Sequence, residues 1–376
     1  MVTEAGLPPF EEYVAELRGI WDTKWLTNQG SLHEKFRGQL KEFMQVEQVT
    51  LCVNGHLALD IAIKALQLTG EVITVPFTFV STTHAIVMNN LTPVFCDIKT
   101  DDYTIDENKI ESLITPKTSA ILAVHVYGNP CNIERLEEIA KRHSLKLIFD
   151  AAHVFGVKYK GRSIGDYGDV SMFSFHATKV FNTIEGGALV YKNPALEPAL
   201  NNLKNFGIAG PDDIVAIGLN AKMNEFQAAM GICNLRRLPL EIDARGEIVS
   251  LYRERLSIVP GVRLVPENEG VIPNYAYFPI FIDEKVYGRT RNELFSHLAE
   301  FNIFCRKYFY PLIIDCECYT ERYGRVDVPV ARHTAERILT IPLYGALGLD
   351  AAQNICEVIA DFALPNSICS KMAAGL

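Results

Sequence analysis

Ser174–Phe175–His176–Ala177–Thr178–Lys179–Val180–Phe181–Asn182–Thr183–Ile184–Glu185–Gly186–Gly187 sets one lysine between a small polar residue and a Glu-Gly-Gly turn. Strand-like apolar runs lead in (Val170–Phe175) and out (Ala188–Tyr191). A lysine framed in this way is held by its surroundings, which makes it a candidate for covalent chemistry through its amine, such as imine formation with a carbonyl cofactor. An ordinary solvated loop lysine fits the same window. The rest of the chain has to separate the two.

Upstream, Glu71–Val75, Val94–Asp97, Ala120–Val126 and Lys146–Asp150 are further short runs rich in β-formers. Helical patterns lie between them: Phe36, Leu40 and Phe43 share one face after Ser31, and Ile133, Leu136, Ile139 and Ala140 share one after Asn132. Near-continuous apolar strands alternating with helices predict an α/β fold with a mostly parallel sheet covered on both faces. Ligands of such sheets gather at the carboxyl ends of the strands, which is where Asp150 and the Ser174–Lys179 segment fall. After about residue 240 the pattern changes. A charged helical stretch, Glu241–Leu256, leads into strand-like Tyr275–Ile282 and a helix over Arg289–Phe301. The expected division is a large domain over 1–240 and a smaller α+β domain over 241–376, with a weakly ordered tail after Ala363.

The chain has 376 residues and a formal net charge of −9. That acidity argues against a nucleic-acid partner, so an anionic ligand has to be met by local positive groups or helix N-termini. The nine cysteines are scattered from Cys52 to Cys369, with Cys316 and Cys318 the one close pair. They fit a reduced, cytoplasmic protein better than a disulfide-bonded one. Neither a signal peptide nor a membrane span is expected.

Several residues supply what an imine-forming lysine needs. Asp150, ending an apolar strand before Ala151–Ala152–His153, is either a helix N-cap or the partner of a protonated pyridine nitrogen; Lys179 favours the second. Asn54–Gly55–His56–Leu57 is a turn entering a helix, whose free amides and dipole suit a phosphate. Ser174 offers a hydroxyl to the same group. Phe79 is either core or a platform for a flat heterocycle. His153 is either a satisfied strand-end histidine or a donor to a phenolic oxygen beside the imine.

These residues, together with Trp25–Leu26–Thr27–Asn28–Gln29–Gly30, Pro76–Phe77–Thr78–Phe79, Val124–His125–Val126–Tyr127–Gly128 and Gly218–Leu219–Asn220–Ala221–Lys222–Met223, carry a resemblance. From about Pro8 through Leu343 the chain resembles the DegT/DnrJ/StrS-type sugar aminotransferases, which use pyridoxal 5'-phosphate on the aspartate-aminotransferase (type I) fold. The resemblance implies that Lys179 carries the cofactor and Asp150 holds its pyridine nitrogen. Gly55, His56, Leu57 and Ser174 then bind the phosphate, and Phe79 stacks on the ring. Asn220 corresponds to an asparagine reaching the phosphate of a neighbouring subunit, which implies a homodimer with active sites at the interface. There are two departures. Asn54–Gly55–His56 stands where many members have Ser-Gly-Thr, which removes a threonine hydroxyl from the phosphate. His153 stands where many have glutamine, and either side chain can donate to the phenolate oxygen.

Both departures look like a subgroup that aminates C4 of a 4-keto-6-deoxy sugar nucleotide. The implied reaction takes the amino group of L-glutamate and passes it to a keto-sugar nucleotide, with dTDP-4-keto-6-deoxyglucose the favoured acceptor and Lys179 the proton carrier. Surface-polysaccharide or related amino-sugar biosynthesis is the setting this implies. Three alternatives stay open: C3 amination or sugar dehydration within the family (the dehydratases replace the lysine by histidine), a regulatory protein on the same fold, and a relative acting on amino acids. Arg306, Tyr308 and Tyr310 fall where the family places part of its substrate pocket, and equally read as a packing segment with a surface arginine. Thr27, Asn28 and Gln29 line that pocket or form a turn.

Overall fold

The computed structural model describes residues 1–323 and 325–363; the tail after Ala363, with Cys369, lies outside them. The six strand-like runs of the first 200 residues all become strands, within one or two residues of the expected ends: Glu71–Thr74, Thr92–Phe95, Thr118–Val124, Lys146–Asp150, Val170–Ser174 and Gly187–Tyr191. A strand absent from the sequence reading, Val49–Cys52, completes a seven-stranded sheet. Across the sheet the order is Val49–Cys52, Gly187–Tyr191, Val170–Ser174, Lys146–Asp150, Thr118–Val124, Glu71–Thr74, Thr92–Phe95. Gly187–Tyr191 runs antiparallel to both of its neighbours, and every other pairing is parallel.

Alternation along the strands explains why both faces need covering. Ile121, Ala123, Leu147, Phe149 and Phe173 enter one hydrophobic cluster, while Ala120, Leu122, Ile148 and Met172 enter another. The helices Ser31–Met44 and Ile133–Arg142 cover the first face, and Gly55–Ala65 packs on the second. The predicted mostly parallel α/β sheet is therefore the observed one.

The expected boundary at residue 240 falls inside one continuous helix, Glu225–Leu256, which carries Pro239. Its first half packs on the Ser31–Met44 helix. Ile248, Val249, Tyr252 and Leu256 from its second half enter a third cluster. That cluster is built on an antiparallel sheet of Val262–Leu264, Phe278–Ile282 and Ile338–Ile341 with the helices Arg291–Glu300 and Leu349–Phe362. Between these elements, Phe309, Leu312, Ile313, Ala331 and Ala335 return to the first cluster. There the Ile313 amide donates to the carbonyl of Pro76, and the amides of Val330 and Ala331 donate to Asp97.

Two buried histidines make this core sensitive to acid. Burial holds His125 at about 3 and His33 at about 4, against an ordinary 6.5. His125 stacks on Phe149 at 4.6 Å and its Nδ1 accepts the Cys131 amide at 3.0 Å. In the unfolded chain both rings bind a proton below about pH 6.5, whereas in the fold they do so only near 3 to 4. Protons therefore favour the unfolded chain across that window. Stability is full above the unfolded value and falls as pH drops, by a few kcal/mol (order of magnitude) between about pH 6.5 and 4. Urea midpoints measured at pH 7.5, 6 and 5 should fall in that order; constant midpoints would show that these rings protonate without strain.

Candidate active site

The Gly55 turn, the Phe79 segment, Asp150 and the Lys179 loop each lie at the carboxyl end of a strand, whereas Glu185–Gly186 and Tyr277 lead into one. The Lys179 loop begins where Val170–Ser174 stops and is closed by paired backbone bonds, Phe175 N to Gly186 O at 2.8 Å and Thr183 N to Phe175 O at 2.9 Å. Phe175 and Phe181, both buried, meet edge to face at 4.9 Å and pack around Phe155 at 5.1 and 4.6 Å. The aromatic anchors flank Lys179 on either side and pin the half-buried residue in place. Lys179 shares a cleft with His153, Ser174, Asn274 and Tyr277, its Nζ lying 5.8 Å from the Tyr277 ring centroid. Burial pulls its amine below the ordinary lysine value, while Asp150 and Tyr308 pull the other way.

Asp150 ends the adjacent strand and is 5% exposed. Its Oδ2 accepts from the Thr82 hydroxyl at 2.7 Å and its Oδ1 from the Ala152 amide at 3.2 Å. Burial raises its carboxyl above the usual range, with these two bonds and Lys179 opposing that rise. Each oxygen still has acceptor capacity, so the carboxylate can take a further N–H donor. His153 is also buried, and its Nδ1 accepts the Tyr127 amide at 3.1 Å. Burial first, and Lys179 second, keep the ring neutral by lowering it well below its ordinary value. With Nδ1 accepting, the proton resides on Nε2, which makes His153 a donor toward the cleft.

The Asn54–Leu57 turn leads into a helix, as the sequence predicts. Asn54 caps the Gly55–Ala65 helix, its Oδ1 accepting the Leu57 amide at 2.8 Å. That bond occupies Leu57, so the amides left to face a ligand are those of Gly55 and His56. The turn lies against the Lys179 loop: a β-carbon on Gly55 would come within 2.9 Å of the Ser174 β-carbon. One on Gly187 would meet the Asn54 carbonyl at 2.7 Å and the Gly55 nitrogen at 2.8 Å. Gly187 is glycine because the Asn54–Gly55 turn passes directly over it.

One segment joins these parts, and the sequence reading drew only Phe79 from it. Phe79, 56% exposed, precedes the helix Val80–Met88 at the end of Glu71–Thr74. Ser81 then bonds the His56 imidazole at 2.9 Å, and Thr82 holds Asp150 while exchanging a bond with Thr78 at 2.9 Å. Phe79, the Gly55 turn and Asp150 are thus joined through a single helix start. Thr78 and Thr82, four residues apart at a helix start, were the signal available in the sequence.

The remaining expected residues divide. Tyr308 is half-buried and lies 5.8 Å from Tyr277 in an edge contact; Arg306 stands 5.9 Å from the Tyr308 ring. Tyr308 and Lys179 influence each other's ionisation, which puts Tyr308 near the lysine, while Arg306 is exposed. Tyr310 is exposed and covers the Arg291 guanidinium at 5.1 Å instead. Thr27, Asn28 and Gln29 are exposed, in a segment held where the Glu225 amide bonds Leu26 O at 3.0 Å. Asn220 is exposed, its Oδ1 accepting from Lys222 at 3.0 Å. Close by in the chain, Phe206, Ile214, Val215 and Ile217 are all exposed.

Lys179, the buried Asp150 and the Gly55 turn thus gather at one end of the sheet, in a chain that belongs to the DegT/DnrJ/EryC1/StrS aminotransferase family, whose profile matches residues 10–360. It is 42% identical, over 96% of its length and 98% of the relative's, to a dTDP-4-amino-4,6-dideoxy-D-glucose transaminase of Shigella dysenteriae. It is 32% identical, over 94% of its length and 95% of the relative's, to a GDP-perosamine synthase of Escherichia coli O157:H7. The structure of DesI in the presence of its TDP-sugar product superposes with a TM-score of 0.92 at 33% identity, covering 100% of this chain and 95% of that one. The family, the fold and the enzyme class expected from the sequence are borne out. Among the described residues no helix is long and apolar enough to cross a membrane, and the eight cysteines there are free.

Proposed function

We propose that the chain is a pyridoxal-phosphate-dependent transaminase that moves the amino group of L-glutamate to C4 of dTDP-4-keto-6-deoxyglucose. The observation that carries this is the placement of Lys179 and Asp150 on one strand rim beside the Gly55 turn, in a chain so close over its full length to the Shigella transaminase. Pyridoxal phosphate, when bound, supplies the electron sink and carries the amino group between donor and acceptor. Asp150 would accept from the protonated ring nitrogen, and His153 Nε2 would donate to the phenolic oxygen. The Gly55 and His56 amides and the Ser174 hydroxyl would hold the phosphate, and Phe79 would cover one ring face.

Lys179 Nζ takes the proton from the α-carbon of glutamate and returns one to the sugar carbon. A base must be neutral to do this, and burial biases this amine toward the neutral form. Arg306 and Tyr308 form the sugar-nucleotide side, with the guanidinium set to meet a diphosphate. The exposed Asn220 and the apolar residues around it face a second copy of the chain, giving a homodimer with shared sites in a reducing, cytoplasmic setting. Residues 1–240 and 241–376 are the two domains of this reading, joined through the helix Glu225–Leu256. Surface-polysaccharide precursor synthesis is the role this reaction serves.

The test is incubation with L-glutamate and a panel of dTDP- and GDP-linked keto sugars, followed by NMR of the products. An amine at C4 of the dTDP-linked 6-deoxyglucose is expected; amination at C3, or turnover of the GDP-linked sugars alone, would overturn the assignment. A second expectation concerns the turn. Gly55→Ala drives a methyl group into Ser174, a strain of about 1–3 kcal/mol. Because the strain falls on the phosphate turn, pyridoxal phosphate should bind at least about tenfold more weakly. Absorbance titration measures this, and unchanged affinity would remove the turn from the phosphate site.

A further inference from the structure

Tyr127 belongs to the Val124–Gly128 motif, for which neither the cofactor contacts nor the proton transfers give a reason. It is 3% exposed and adopts left-handed backbone, φ 60° and ψ 3°. That conformation is rare for an aromatic residue and persists where the surroundings over-determine it. Here two opposite constraints do so. The Tyr127 amide donates to His153 Nδ1 at 3.1 Å, and its hydroxyl donates to the backbone carbonyl of Tyr308. Between the two, its ring stacks on Phe309 at 5.9 Å, and Phe309 lies parallel to the His153 ring at 6.1 Å. Phenylalanine would fill the same ring space, so packing alone does not call for the hydroxyl. Tyr308 sits in a turn outside any strand ladder, so its carbonyl depends on a side-chain donor.

We propose that Tyr127 is a positioning residue with two separable tasks: its backbone fixes the donor tautomer of His153, and its hydroxyl sets the Tyr308 wall of the sugar pocket beside Lys179. The inference rests on the reading of Tyr308 as part of that pocket. It assigns a sugar-side role to a residue that touches neither the reacting atoms nor the cofactor.

The two tasks separate by mutation. Tyr127→Phe removes the hydroxyl and leaves the amide in place. Pyridoxal phosphate affinity, and the rate at which L-glutamate bleaches the yellow enzyme, should be unchanged. KM for dTDP-4-keto-6-deoxyglucose should rise about tenfold, the scale of one hydrogen bond, with kcat close to wild type. Tyr308→Ala should raise the same KM, and the double variant should be no worse than Tyr308→Ala alone, since the hydroxyl acts only through Tyr308. Three results would overturn the inference: an unchanged KM in Tyr127→Phe, full additivity with Tyr308→Ala, or an equal slowing of glutamate bleaching. A Tyr308→Ala variant with wild-type KM would instead remove Tyr308 from the pocket, and the inference with it. Wild-type turnover of the same sugar, measured in parallel, is the separate check on the proposed function.

Discussion

Lys179→Ala should lower kcat by at least about 10⁴-fold, the upper range for loss of a positioned general base, while the protein still takes up pyridoxal phosphate. The size of the effect follows from how much one amine does. On the proposed mechanism Lys179 Nζ moves protons in both halves of the exchange, and among the described residues no other lysine lines its cleft. His153 is not a substitute, because burial makes it a weak base and its free lone pair, on Nδ1, already accepts from Tyr127. Lys179→Arg should be as inactive, since a guanidinium stays protonated at any working pH and forms no imine. Folding should survive both changes, because the loop is anchored by Phe175 and Phe181 rather than by the lysine. Single-turnover absorbance with L-glutamate measures the effect. Residual turnover within about tenfold of wild type would take the proton transfers away from Lys179.

Asp150→Asn should cost about 10³-fold in kcat, the scale of removing one preorganised electrostatic contact. The amide keeps the shape and can still accept the Ala152 N–H, so the loss reports the charge and not the packing. Removing the negative charge also takes away the attraction that raises the Lys179 amine, so the amine should titrate lower in the cofactor-free variant. Thr82→Val removes one bond to Oδ2 and leaves the carboxylate charged, so its cost should stay within about tenfold to a hundredfold. The ordering, with asparagine far worse than the valine variant, is the informative outcome. Equal losses would mean that Thr82 and Asp150 act through fold stability, which thermal melts would show directly.

The strands that hold these groups were legible because their apolar runs are bounded by polar or glycine-containing segments, as Lys146–Asp150 is by His143–Ser144 and Ala151–His153. Val49–Cys52 was not, because four residues running straight into the Asn54 turn leave no period to read. The Glu225–Leu256 helix was read only in its second half, since Pro239 and the small residues before it disguise a continuous helix that tertiary packing holds together. In the site, Lys179, Asp150 and Gly55 were singled out from their strand-end and turn settings taken together, each alone fitting an ordinary structural part as well. Thr82, Tyr127 and Tyr277 were not, because their importance lies in contacts across the chain: Thr82 to Asp150, Tyr127 to both His153 and Tyr308, Tyr277 to Lys179. Leu57 shows the reverse limit. Its position matches the phosphate turn, yet the neighbouring Asn54 side chain takes its amide, a detail that depends on one rotamer.

Borohydride reduction of the yellow holoenzyme, followed by peptide mapping, tests the central claim most directly. The account predicts one pyridoxyl group, on the peptide containing Lys179, and no labelling once L-glutamate has bleached the enzyme. A label on any other lysine, or a protein that takes up no pyridoxal phosphate at all, would contradict it.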